Sequence, residues 1–206
     1  MKKILLAGCI VMAGLVTFAQ NKTEVKNDNQ KWKARLRLIA IMPPSSSYDL
    51  SGSDVKISTA FVPELDFTYF FSKNFAAELI LGTAKHSVKT VTNGTEAKLG
   101  SVWLLPPTLN LQYHIPLSGF TPYFGAGVNY TIFYGVKDDA VSLGYKNAVG
   151  FSTQLGADID INKKWFINID VKRLFLKTDV TVNTATTLSG VKIDPFIVGL
   201  GIGVKL

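Results

Sequence analysis

"LPPTLNLQYHIPLSGFTPYFGAGVNYTIF", residues 105–133, carries the reading of the whole chain. Between Thr108 and His114 every second residue is polar: Thr108, Asn110, Gln112 and His114, with Leu109, Leu111 and Tyr113 between them. After a short break the alternation resumes, with Phe124, Ala126, Val128, Tyr130 and Ile132 against Tyr123, Gly125, Gly127, Asn129 and Thr131. A period of two belongs to a strand, whose successive side chains point to opposite faces. The fold turns on which face looks inward and what solvent the other one meets.

The same pattern recurs along the chain. Alternating segments lie at 32–42, 61–71, 75–84, 102–114, 121–134, 148–161, 165–176 and 193–206. They run ten to fourteen residues, longer than the soluble strand of about five or six and enough for the roughly 9–11 that a tilted strand needs to cross a bilayer. The turns at 72–74, 116–120 and 162–164 are tight, whereas 43–60, 85–101, 135–147 and 177–192 are long and rich in Ser, Thr, Gly, Asn and Asp. Short and long connections in strict alternation join eight antiparallel strands and leave both termini at the short-turn end. That predicts an all-β fold, an eight-stranded antiparallel transmembrane β-barrel over 32–206 with short periplasmic turns and long extracellular loops.

Aromatic residues gather at both strand ends. Trp32, Tyr69, Phe71, Phe75, Tyr113, Phe120, Tyr123 and Trp165 lie near the short turns, and Trp103, Tyr130, Tyr134, Phe151 and Phe175 near the long loops. Two such rings are expected at the two interfaces of a membrane barrel.

Glycine decides the orientation. One face carries residues such as Leu36, Leu38, Leu109, Leu111, Leu200 and Ile202; the other carries Lys33, Arg35, Arg37, Glu64, Asp66, Glu78, Asp158, Asp160, Asp170 and Lys172. Gly82, Gly125, Gly127, Gly150, Gly156, Gly199, Gly201 and Gly203 all share the polar face. The bore of an eight-stranded barrel is barely wide enough for its own side chains, so small residues belong inside it. The polar face is therefore the lumen. The opposite orientation would leave Arg35 or Arg37 in lipid at roughly 2–4 kcal/mol each near the midplane.

Location follows from the N-terminus. Lys2 and Lys3 precede an apolar run from Ile4 to Ala19, with Thr17 and Ala19 as small residues before a cleavage point. Residues 1–19 are expected to be a signal peptide and 20–31 a flexible periplasmic tail. Leu6-Ala7-Gly8-Cys9 resembles a lipoprotein box, but the apolar run continues well past Cys9. Loss of the leader lowers the formal charge from +7 to +5 and removes the sole cysteine. The basic residues are scattered rather than striped, which argues against nucleic-acid binding. The destination is the outer membrane of a Gram-negative bacterium, with outer-membrane lipid, lipopolysaccharide and the barrel-insertion machinery as expected partners. Nothing in the sequence fixes an oligomeric state.

The lumen changes character with height. Arg35, Arg37, Glu64, Asp66, Glu78, Asp158, Asp170 and Lys172 form a nearly balanced set, read as a salt-bridged plug with a selectivity filter as the alternative. Toward the long loops the same face reads Ile39, Ile41, Leu104, Pro106, Phe133, Leu174, Leu176 and Ile193. An apolar cup over a polar floor suits a small hydrophobic ligand; equally, these residues could lie above the membrane and pack against the loops.

The segments so assembled resemble the OmpW family of eight-stranded outer-membrane barrels, through "LPPTLNLQYHI" at 105–115, "TPYFGAGVNYTIFY" at 121–134 and the final "DPFIVGLGIGVKL" at 194–206. The resemblance implies a narrow barrel with an apolar lumen that admits small hydrophobic compounds. The chain ends in Leu206 rather than the aromatic residue common in such barrels. The loops share no motif with the family.

Other functions fare less well. A structural or adhesive barrel acting through its outer loops is the main alternative, and a soluble lipid carrier a weaker one. A lipid-modifying enzyme would need His86 or His114, but His86 and Ser87 point to opposite faces of one strand and His114 sits low in the lumen. No catalytic residue, metal site or cofactor is expected: the two histidines are far apart, and Asp158 and Asp160 read as lumen charges.

Overall fold

The computed structural model describes residues 31–43, 48–49, 54–92, 95–138, 142–182 and 186–206. The expected signal peptide, and the tail apart from Lys31, lie outside the described residues. Fourteen strands are formed among those described: β1 (Trp32–Met42), β2 (Tyr48–Asp49), β3 (Asp54–Ile57), β4 (Ala60–Phe70), β5 (Phe75–Gly82), β6 (Ala84–Thr92), β7 (Thr95–Leu105), β8 (Thr108–His114), β9 (Phe120–Asp138), β10 (Leu143–Tyr145), β11 (Ala148–Asp160), β12 (Trp165–Val182), β13 (Thr186–Lys192) and β14 (Phe196–Lys205).

Eight of them close a ring in the order β1-β4-β5-β8-β9-β11-β12-β14, every neighbour antiparallel. β1 meets β14 from Lys33↔Lys205 to Met42↔Phe196, and the Leu206 amide donates to the Trp32 carbonyl at 2.9 Å. Closure matters because hydrocarbon offers no partner to an unpaired backbone group. The short turns are held locally: the Asn162 side chain accepts from the Lys164 and Trp165 amides at 2.9 and 2.8 Å, and Gly119 turns the chain at φ 70°, in the left-handed region that a side chain disfavours.

Above the ring the long connections depart from the loops expected of them. β6 and β7 form a hairpin, β12 runs on to Val182 against β13, and β9 continues to Asp138 beside β7. Stretches such as Ser87 to Thr92 alternate and are rich in Val and Thr, so cross-strand pairing outweighs their polar composition. Two expected strands are also interrupted. β5 gives way to β6 at Thr83, and β7 to β8 at Pro106 and Pro107, which have no N–H to offer a ladder.

The faces lie as the glycines require. Leu36, Leu38, Leu111 and Leu200 are 55%, 62%, 55% and 60% exposed, whereas Arg35, Arg37, Asp66 and Glu78 are at most 1% exposed. Aromatic rings pack at both ends of the outer face, Trp32 on Tyr69 and Phe75 on Tyr113 below, Trp103 on Tyr134 above. Tyr123 is the exception among the residues expected in the lower ring. It is buried and points into the lumen, as its alternation with Phe124 requires.

Some glycines are there because something crosses them. A Cβ at Gly201 would fall 2.3 Å from the Leu36 carbonyl oxygen and 2.8 Å from Cγ of Arg37. Gly82, by contrast, has 3.7 Å of clearance. Gly201→Ala is therefore expected to lower unfolding stability by about 1–3 kcal/mol, the usual penalty of overpacking, while Gly82→Ala stays within about 1 kcal/mol of the parent. Urea unfolding in bilayers, followed by heat-modifiable gel mobility, checks both.

Candidate functional site

Two layers fill the bore. The lower is ionic and is built around two arginines on β1, placed two residues apart so that both enter the lumen. Arg37 donates to Glu64 Oε1 and Glu78 Oε1, each at 2.8 Å, and through Nε to Asn168 Oδ1 at 2.7 Å. Arg35 donates to Asp66 Oδ1 at 2.6 Å, to Thr68 Oγ1 and to the same Glu78 oxygen at 2.9 Å. Lys172 reaches Glu64 and lies 3.3 Å from Asp170. Asp158 takes Lys33 at 2.8 Å. Tyr123 and Gln154 both donate to Asp170 Oδ2 at 2.8 Å. All eight side chains expected in the plug thus meet in one network.

This network crosses the bore. The charged partners come from β1, β4, β5, β11 and β12, so they span the ring from wall to wall. Charge-assisted bonds of this kind are strong when satisfied and costly when broken. Below it His114 contacts Gln112 Oε1 through Nε2 at 2.9 Å and stacks on Tyr123 at 4.8 Å. Its Nδ1 has no partner among the described residues.

The upper layer is apolar. Ile39, Ile41, Ala84, Leu174 and Ile197 are buried together, with Val62 against them. A small cavity of about 30 Å³ lies here, lined by these residues and by Ile80, Gly82, Thr83, Pro106 and Thr108, with Glu64 and Lys172 at its floor. Of the residues expected to form a cup, Ile39, Ile41, Pro106 and Leu174 line it. Leu104, Phe133, Leu176 and Ile193 do not, and sit one step nearer the outside. Leu104 pairs with Phe133, the Phe133 ring stacks on Tyr145 at 5.3 Å, and the Ile193 amide donates to the Leu176 carbonyl at 2.8 Å. Val62, Ile80, Ala84 and Ile197 were missed, although the parity that puts Glu64, Glu78 and Gly199 inside extends to Val62, Ile80 and Ile197.

The wall beside this cavity has a gap in its ladder. β5 pairs with β8 as far as Ile80↔Thr108, and β6 takes up β7 at Ala84↔Leu104. Residues 81–83 and 105–107 have no ladder between them. The prolines remain attached to β9, since Tyr130 N donates to Pro107 O at 3.0 Å and Asn129 Nδ2 to Pro106 O at 3.2 Å. Across the break Thr83 Oγ1 meets the Tyr134 hydroxyl at 2.5 Å and Leu104 O at 3.2 Å.

His86, the other histidine, is buried on β6 with Nδ1 2.9 Å from the Ser58 carbonyl, and burial lowers its pKa below the ordinary imidazole value. Ser87 points to the other face of the strand, and its amide is held by Ser58 Oγ at 3.1 Å.

A closed eight-stranded ring with an apolar outer band, aromatic ends and a charged interior defines an integral β-barrel of the outer membrane. The chain belongs to the OmpW family, whose family model matches residues 22–206. It is 41% identical over 179 residues to an uncharacterized outer-membrane protein, y4mB, of Sinorhizobium fredii, covering 83% of this chain and 78% of that one. It is 33% identical over 144 residues to the dibenzothiophene metabolism operon protein PahQ of Pseudomonas aeruginosa, covering 67% and 68%. Its fold matches the crystal structure of the outer membrane protein OprG from Pseudomonas aeruginosa with a TM-score of 0.75 at 25% identity, over 86% of this chain and 96% of that one.

Removing one arginine from the plug leaves buried carboxylates without a counter-charge. Arg37→Met is expected to lower stability by about 3–5 kcal/mol, and Arg37→Met combined with Glu64→Gln by less than Arg37→Met alone. The urea midpoints of the two variants, compared with the parent in the same bilayer, measure this.

Proposed function

We propose that the barrel takes small apolar molecules from the outer face into the upper lumen and passes them sideways into the bilayer. The carrying observation is the coincidence of cavity and wall break: Gly82, Thr83 and Pro106 belong to both. The ionic layer closes the path downward, because an apolar solute would have to displace satisfied buried ion pairs. Apolar side chains around the cavity favour a solute of like character. The break offers an exit held by side-chain hydrogen bonds in place of a ladder. A cavity of about 30 Å³ holds little more than a water or two, so admission of a larger molecule goes with parting of the wall at Thr83. The membership of PahQ's gene in an operon for dibenzothiophene metabolism, as its name states, agrees with an apolar solute. In this reading Leu104, Phe133, Leu176 and Ile193 form the vestibule above the cavity. The insertion machinery of the outer membrane would read the last strand, Phe196 to Leu206.

The route is testable because the chain after residue 19 contains no cysteine. Gly82→Cys with Pro106→Cys, joined by a short bifunctional thiol reagent that reduction cleaves, is expected to cut vesicle uptake of a fluorescent apolar probe at least about tenfold and to recover on reduction. Uptake unaffected by the closed link would rule out the lateral path. Leu174→Asp tests the cavity itself and is expected to reduce uptake while heat-modifiable mobility persists.

A further inference from the structure

Between the two aromatic ends, the outward face of the eight ring strands carries one charged side chain among the described residues, Arg173 on β12. Every other outward residue at that depth is uncharged. A cation facing acyl chains is destabilising at the bilayer midplane and tolerable near the interface, so Arg173 needs an account. It pairs with Phe196 on β14 and Thr153 on β11, one outward step below the Phe151–Phe175 pair of the upper aromatic ring. Its guanidinium lies 5.4 Å from the centroid of Phe175, two residues farther out, so the side chain bends toward the headgroups.

Arg173 is not alone. Lys177 follows on the same face, and it stands directly opposite Lys192 on β13; both are exposed. Like charges directly opposed across a ladder are destabilising. The acids close by are already engaged. Asp179 takes Lys146 at 3.2 Å and the Gly190 amide at 3.0 Å, contacts that hold its pKa below the ordinary carboxylate value. Asp194 accepts the Leu176 amide at 2.9 Å. Neither Arg173 nor Lys177 has a carboxylate in ion-pair range among the described residues. Phe151, Phe175 and Phe196 flank them, and beneath Arg173 the residues Leu155, Ile169 and Val198 present an exposed apolar surface.

We propose that this face holds the phosphorylated disaccharide headgroup of lipid A, with its acyl chains lying over Leu155, Ile169 and Val198. The height is that of the outer-leaflet headgroups, and cations on an apolar wall complement an anionic amphiphile. The spacing favours a headgroup phosphorylated at both ends over one with a single phosphate. Arg173 and Lys177 are four residues apart, about 13 Å along a strand rising about 3.3 Å per residue. A single phosphate reaches one of them, and a bis-phosphorylated disaccharide reaches both. β12 lies three strands around the ring from β8 and four from β5, so a lipid held here leaves the proposed exit uncovered.

The test uses the full chain refolded in phosphatidylcholine nanodiscs, doped in turn with bis-phosphorylated lipid A, phosphate-free lipid A or phosphatidylglycerol. Lipid retained on the released barrel is read by native mass spectrometry. The parent is expected to retain bis-phosphorylated lipid A at least about tenfold over either other lipid, the preference that about 1.4 kcal/mol gives. R173Q with K177Q should lose that preference while keeping heat-modifiable mobility, and R173K with K177R should keep it. Equal retention of the two forms of lipid A by the parent would overturn the proposal, as would equal retention of phosphatidylglycerol or an undiminished preference in the glutamine variant. If that variant does not fold, the comparison of lipids on the parent decides alone.

Discussion

Arg37 ties the bore together. Its guanidinium holds Glu64 from β4, Glu78 from β5 and Asn168 from β12 at once, and the carboxylate of Glu78 passes the connection on to Arg35. Five donors in a rigid fork make such a hub possible where a lysine could not. The hub has a backbone condition. Gly201 lies directly beside Arg37 in the ladder and leaves the space that the arginine stem occupies. The charge network and the run of alternate glycines on β14 are therefore one device, and neither makes sense without a closed ring to press them together.

The layering of the lumen follows from the same alternation continued upward. On β1 the inward positions read Arg35, Arg37, Ile39 and Ile41, so two steps along one strand carry the bore from ionic to apolar. β12 makes the same change from Asp170 and Lys172 to Leu174 and Leu176. Proline then supplies what alternation cannot. Pro106 and Pro107 keep the wall attached to β9 through their carbonyls and release it on the β5 side, where an N–H would be needed.

Much of this was legible in the residues themselves. Period-two parity assigned every member of the ionic layer to the lumen, because a barrel wall has only two faces and the glycines identify the concave one. The heights of facing residues were not legible. Whether Leu104 or Ile80 borders the cavity depends on the stagger between neighbouring strands, and no single segment encodes that offset. The paired strands above the ring read as loops by their Ser, Gly, Asn and Asp content, and only the alternating Val and Thr of stretches such as 87–92 favour pairing. Tyr123 was grouped with interface aromatics by position along the strand, although its parity pointed into the lumen, where its hydroxyl serves Asp170.

A cylinder crossed by its own ion pairs matters to the cell that makes it. If the ionic layer seals the bore as proposed, many copies can crowd the surface without making the envelope leaky. The proposed entry of apolar compounds would then be decoupled from general permeability, and the barrier to hydrophilic solutes would not depend on how many copies the membrane holds.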